Sequence, residues 1–106
     1  MASRVTPDEL EARIRAGTAP AILDVRSARE FAGGHVPGAV HIPFWLVSAR
    51  IADVPAAVHQ DLIVYCGHGP RATLAGRALR RHGFTRVEYL DGHFSTWRRE
   101  GRPEER

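Results

Sequence analysis

The chain has 106 residues, 43% hydrophobic and 25% charged, which suits one ordinary domain, leaves no room for a second, and excludes wholesale disorder or a fibrous repeat. No apolar run approaches the ~18 residues that cross a bilayer, and the opening Met1-Ala2-Ser3-Arg4 is not followed by a signal-peptide core, so a cytoplasmic, membrane-free protein is expected. All 15 basic residues are arginine against 12 acids, for a net charge of +3 with neither Lys nor Asn, which excludes Schiff-base lysine chemistry, a P-loop lysine and an N-glycosylation acceptor.

In chain order, Thr6-Pro7-Asp8-Glu9 reads as a capping box with proline at the first helical position. Leu10, Ile14 and Ala16 then give an apolar side to a helix over about 7–16 that stops at Gly17. Ala21-Ile22-Leu23-Asp24-Val25 runs without polar alternation, as a strand buried on both faces does, and Ala39 to Ile42 is a weaker strand before Pro43. Phe44-Trp45-Leu46-Val47 is more apolar than a surface connection should be, and reads as core or as the rim of a pocket or partner surface. Asp61 to Tyr65 is the next buried strand. Ala72 to His82 follows as an amphipathic helix, with Leu74, Ala75, Ala78 and Leu79 on one side, Arg77, Arg80 and Arg81 on the other, and Gly83 as the stop. Val87 to Leu90 is a further strand, and Phe94 to Glu100 a short helix that buries Trp97. Strand, helix and strand within about 30 residues make a βαβ unit, so the expected fold class is α/β with a mostly parallel sheet and helices on both faces.

Ligands of such sheets bind beyond the carboxyl ends of the strands, and Cys66, the only cysteine, stands at one. It opens the turn Cys66-Gly67-His68-Gly69-Pro70-Arg71 before the next helix. A structural cysteine belongs within a strand or on an apolar helix face, so a cysteine in a tight turn that holds two glycines, Gly67 and Gly69, reads as an exposed, reactive thiol. The glycines allow several N–H groups to aim at one point, the helix presents the positive end of its dipole there, and Arg71 adds a fixed cation. This nest suits a thiolate and an anionic ligand. A lone cysteine also excludes an intrachain disulfide or a Cys-rich zinc site, and the six histidines lack zinc-type spacing, so no metal is expected.

The ordered segments Leu23-Asp24-Val25-Arg26, Glu30-Phe31, Gly34-His35-Val36-Pro37-Gly38-Ala39, Ile42-Pro43, the loop Cys66 to Arg71, Gly83-Phe84 and Leu90-Asp91-Gly92 with Trp97 resemble the single-domain rhodanese family of thiosulfate sulfurtransferases. The resemblance implies one domain over residues 1–106, a three-layer α/β/α sandwich with a mostly parallel five-stranded sheet, and a short additional strand around Ser3 to Val5. It implies that Cys66 is the nucleophile that carries a persulfide, with Arg71 beside it in the catalysis and Gly67, His68, Gly69 and Pro70 binding substrate. Neither a metal nor an organic cofactor is implied. The partners are a small anionic sulfur donor and a thiol or cyanide acceptor, including a protein persulfide partner, with no nucleic acid. Departures from the family pattern are Pro70, which offers no N–H to the cradle, Ala72 where Ser is frequent, and His93 in place of the second glycine of a Leu-x-Gly-Gly turn.

Two other classes share these residues. Cysteine phosphatases and arsenate reductases use a similar cradle, but with five residues between Cys and Arg where this chain has four. Rhodanese modules also act as non-catalytic interaction or regulatory domains, whose usual form lacks the cysteine. Elsewhere, Asp24 and Arg26 read either as residues lining the pocket or as structural charges, with Arg26 paired to Glu30, and His35 reads as a packed turn residue. His68 reads either as an exposed side chain or as a specificity residue.

Overall fold

The protein, described by a computed structural model over residues 3–106, is a five-stranded parallel sheet flanked by helices on both faces. The strands are β1 (Ser3–Val5), β2 (Ala21–Asp24), β3 (Val40–His41), β4 (Leu62–Tyr65) and β5 (Val87–Leu90), in the order β1-β5-β4-β2-β3. The helices are α1 (Pro7–Ala16), α2 (Ala28–Ala32), α3 (Pro70–Arg81) and α4 (His93–Arg99), with 3₁₀ turns at Phe44–Leu46 and Ile51–Asp53. The α/β expectation holds, β1 included. Among the described residues no helix is long and apolar enough to cross a membrane.

Alternation along the buried strands feeds two cores. Ile22, Ile63, Tyr65 and Leu90 point toward α1 and α4, where they meet Leu10, Phe94 and Trp97. Leu23, Val64, Cys66 and Tyr89 point the other way, toward Ala72, Ala75 and Leu79 of α3. Every residue of β4 is buried, as suits the middle strand of five. Ion pairs from Arg102 to Asp8, Glu11 and Glu100, with the Trp97 indole N–H donating to the Pro103 carbonyl at 2.7 Å, fasten the C-terminal residues to α1 and α4.

Three local expectations change. Leu74 is about half exposed, because the buried stripe of α3 is Ala72, Ala75, Gly76 and Leu79, at the spacing of one helix face. The helix begins at Pro70 rather than Ala72, since proline's fixed φ and missing N–H suit the first helical position. Within Phe44 to Val47 the side chains divide: Val47 is fully buried and Trp45 is 59% exposed.

Gly76 lies in the interior of α3, where glycine costs ~1 kcal/mol relative to alanine. A Cβ there would fall 2.0 Å from the Tyr89 hydroxyl and 2.9 Å from its ring carbon, so the missing side chain lets α3 ride over a buried tyrosine. Gly76→Ala is therefore expected to lower stability by ~2 kcal/mol, the overpacking strain outweighing the propensity gain. Urea unfolding of Gly76→Ala and of Gly76→Ala/Tyr89→Phe, where stability should partly return, checks this; a more stable alanine variant would refute it.

Candidate active site

The loop from Cys66 to Arg71 joins the carboxyl end of β4 to the first turn of α3, and Cys66 is held on both sides of its peptide. Its N–H donates to His93 Nδ1 at 3.2 Å, and its carbonyl accepts from the Phe94 N–H at 3.0 Å. The Ser95 N–H donates to the Gly67 carbonyl at 3.1 Å. The first turn of α4, whose N–H groups have no partner within their own helix, thus positions the loop backbone. Gly69 caps α3 at φ +135, a conformation open in practice to glycine alone, and that turn sends its N–H back to Cys66 Sγ at 2.9 Å.

The thiol is not exposed, contrary to the expectation from its turn position. Cys66 is fully buried, because the loop folds over Sγ and the opposite side of the residue belongs to the α3 core. His68 is exposed at the crest of the loop, while Gly67, Gly69 and Arg71 are partly covered.

The charged residues pair differently from the expectation. Arg26 does not reach for Glu30: it bonds Asp24 at 2.8 and 3.1 Å and the Gly34 carbonyl at 2.7 Å. The Tyr65 hydroxyl donates to Asp24 at 2.6 Å and accepts from the Val36 N–H at 3.0 Å. Burial, together with the Asp24 carboxylate, pushes the Tyr65 phenol far above its ordinary range, so it remains a donor. The buried pair therefore has its polar groups satisfied, as a buried ion pair must to be tolerated. Glu30 instead takes Arg71, at 2.6 and 3.0 Å. This two-pronged bond holds the Glu30 carboxyl down at about 2 and raises the Arg71 guanidinium above its usual value.

Glu30 reaches Arg71 from α2, a five-residue helix that the sequence reading passed over. Its signal is the capping box Ser27-x-x-Glu30, in which Ser27 Oγ accepts from the Glu30 N–H and Glu30 Oε1 accepts from the Ser27 N–H. The same Oε1 accepts from Arg71, so one carboxylate caps α2 and braces the loop. His35 packs as expected, stacked on Phe31 at 3.7 Å between ring centroids, with Nδ1 at 2.8 Å from the Phe31 carbonyl. Among the described residues no group of three or more His, Cys, Asp or Glu is arranged to hold a metal ion.

His93 carries a role the sequence showed only as a departure. It adopts left-handed backbone, φ +53, which histidine tolerates better than most residues. It is buried, and desolvation, aided by Arg4, lowers its pKa to about 4. Neutral at pH 7, with Nδ1 accepting from Cys66, it carries its proton on Nε2. Protonation of Nδ1 would remove that acceptor and break the clamp. The unfolded chain binds this proton below about 6.5, so stability is fully present above pH 6.5 and falls as the pH drops toward 4, by at most ~1.4 kcal/mol per pH unit. Urea denaturation at pH 7 and pH 4.5 should show that loss in the native protein and a smaller one in His93→Asn, which keeps an acceptor and tolerates the backbone but does not titrate. Equal losses would remove His93 as the cause.

The rhodanese-like domain family matches residues 6–100. A sulfurtransferase of Allochromatium vinosum is 29% identical over 103 residues, covering 97% of this chain and 94% of that protein. The thiosulfate sulfurtransferase GlpE of Stutzerimonas stutzeri is 36% identical over 97 residues, covering 90% and 84%. The crystal structure of the Alr3790 protein from Anabaena superposes with a TM-score of 0.85 at 29% identity, over 95% of this chain and 81% of that one. A parallel sheet with a cysteine-bearing loop after its central strand, together with these matches over nearly the full length, shows that the chain belongs to the rhodanese family, among relatives named as sulfurtransferases.

Proposed function

We propose that the chain, acting as one domain over residues 1–106, is a rhodanese-type sulfurtransferase. It moves a sulfane sulfur from thiosulfate or a related anionic donor to cyanide or a thiol through a persulfide on Cys66. The observation that carries this reading is the Gly69 N–H directed at Cys66 Sγ within a six-residue loop that ends on Arg71. A thiolate at Cys66 attacks the outer sulfur of thiosulfate, the bond from that sulfur to the sulfonate breaks, and its electron pair leaves with sulfite. Cyanide or a thiolate then attacks the outer sulfur of the persulfide, and the pair returns to Cys66 as the thiolate. The loop N–H groups and the α3 dipole stabilise negative charge at Sγ throughout. Arg71 holds the end of the loop through Glu30 and adds positive charge beside it. Gly67, His68, Gly69 and Pro70 form the wall that the donor meets. With Sγ covered, the donor enters as the loop between Gly67 and Pro70 yields, a movement its two glycines permit. No second cysteine is present to resolve the persulfide, so an external acceptor completes the cycle. The cytoplasm, where thiols stay reduced, suits that acceptor.

A phosphatase reading is disfavoured by the loop. Four residues separate Cys66 from Arg71, and the Gly69 N–H already lies within bonding distance of the sulfur, leaving little room for phosphoryl oxygens. The unmodified protein is expected to leave p-nitrophenyl phosphate intact, and turnover of that ester would overturn the sulfur reading.

Intact mass spectrometry after incubation with thiosulfate tests the proposal directly. One added sulfur is expected, lost on addition of cyanide or a reductant. Cys66→Ser should gain none and lose thiosulfate:cyanide transfer while its thermal transition stays within a few degrees, since the two side chains are nearly isosteric. Sulfur transfer by the serine variant would remove Cys66 as the nucleophile. No persulfide with any sulfane donor would favour a non-catalytic interaction module.

A further inference from the structure

A cleft of about 470 Å³ adjoins the loop at His68 and Gly69 and follows α3 past Arg77 and Arg80, with Arg4, Tyr89 and Asp91 on its sheet side. Its volume lies within the ~300–1,000 Å³ typical of small-molecule sites. On α3 the lining residues Thr73, Arg77 and Arg80 are spaced by four and three and share one face. At 1.5 Å rise per residue this stripe is ~10 Å long.

The charge in the cleft is unbalanced. Three arginines face one acid, Asp91, and its contact with Arg4 is 3.8 Å long with both side chains more than half exposed, a weak pair. Arg77 and Arg80 enter none of the ion pairs formed among the described residues. Arg80 lies 5.8 Å from the centroid of the Tyr89 ring and 3.4 Å from its hydroxyl, so its guanidinium rests on a fixed aromatic wall. That wall exists because Gly76 leaves room for the hydroxyl.

Resting on the sulfurtransferase reading, we propose that this cleft binds the carboxylate-bearing tail of a small thiol or persulfide whose sulfur reaches Cys66 past His68 and Gly69. Thiosulfate is too short to touch both Cys66 and the arginines of α3. A peptide-sized thiol is not: at ~3.3–3.6 Å per residue, three extended residues span the ~10 Å stripe. Two cations one helical turn apart, Arg77 and Arg80, suit a ligand with two carboxylates, and a guanidinium binds each in a forked, charge-assisted bond. The concave shape and the short run of charge favour such a molecule over a broad protein surface.

Glutathione, a tripeptide thiol with two carboxylates, and neutral 2-mercaptoethanol are the probes, offered as acceptors to the thiosulfate-loaded protein. The native protein should prefer glutathione in kcat/KM, and Arg77→Gln/Arg80→Gln should reduce that preference on the order of tenfold. Calorimetric titration with S-methylglutathione, which has no sulfur to exchange, should show a matching loss of affinity. No preference in the native protein, or equal S-methylglutathione binding by native and double variant, would overturn the cleft assignment. If neither thiol nor cyanide removes sulfur from the native protein, the sulfurtransferase reading fails, and the calorimetry still decides the cleft.

Discussion

The site depends on how the peptide of one residue is held. Cys66 directly follows the central strand, where its side chain belongs to a closed core, and its N–H and carbonyl are bonded not by a neighbouring strand but by the first turn of α4. A strand that continued would present its next side chains alternately to the two cores. A strand seized at this point must turn, and the turn brings the Gly69 N–H back onto Sγ. The sulfur is thus buried between two unlike surroundings, the apolar side chains under α3 on one side and the Gly69 N–H of the loop on the other.

The charges around the loop are organised in two separate units. Asp24, Arg26 and Tyr65 form a fully bonded buried unit that ties β2 to β4 and to the Gly34–Val36 turn, and the Arg26 guanidinium also lies 4.1 Å from the Phe94 ring centroid in α4. It carries no surplus charge to offer a ligand. Glu30 and Arg71 form the second unit, at the rim, and are only partly covered. Arg71 is therefore a brace as well as a cation: its charge near Cys66 is discounted by the carboxylate that fixes its position. The surplus positive charge lies instead along α3, outside both units.

Much of this was legible in the sequence, for physical reasons that differ by element. The buried strands announce themselves because a central parallel strand must be apolar on both faces. α1 was readable at both ends, because Thr6, Pro7 and Gly17 each answer a specific demand of a helix terminus. The loop was legible because few reasons other than chemistry place a cysteine between a buried strand and a helix with glycines around it. What sequence position could not supply was depth: a turn is ordinarily exposed, and only the fold of the loop over Sγ buries Cys66. Nor could it supply pairing, since Arg26 has an acid two residues before it and another four residues after it, and only the strand end selects Asp24. The five residues of α2 bury none of their side chains, so no hydrophobic period marks them; the capping box alone does.

One departure from the family pattern, His93, has a visible structural consequence. His93 takes a left-handed position that glycine would occupy without strain, and turns that strain into a side-chain acceptor for the Cys66 N–H. Gly69 passes close to the His93 ring, which a Cβ on Gly69 would approach to 3.4 Å. Tyr89, two residues before Asp91 on the same segment, passes beneath α3 where Gly76 admits it and supports Arg80. These contacts run from the Cys66 peptide through His93 and Tyr89 to Arg80. His68 and Gly69 line the same cleft, and so does His93, which accepts from the Cys66 N–H. The left-handed backbone at His93 is therefore the point where the lining of the cleft along α3 meets the peptide of Cys66.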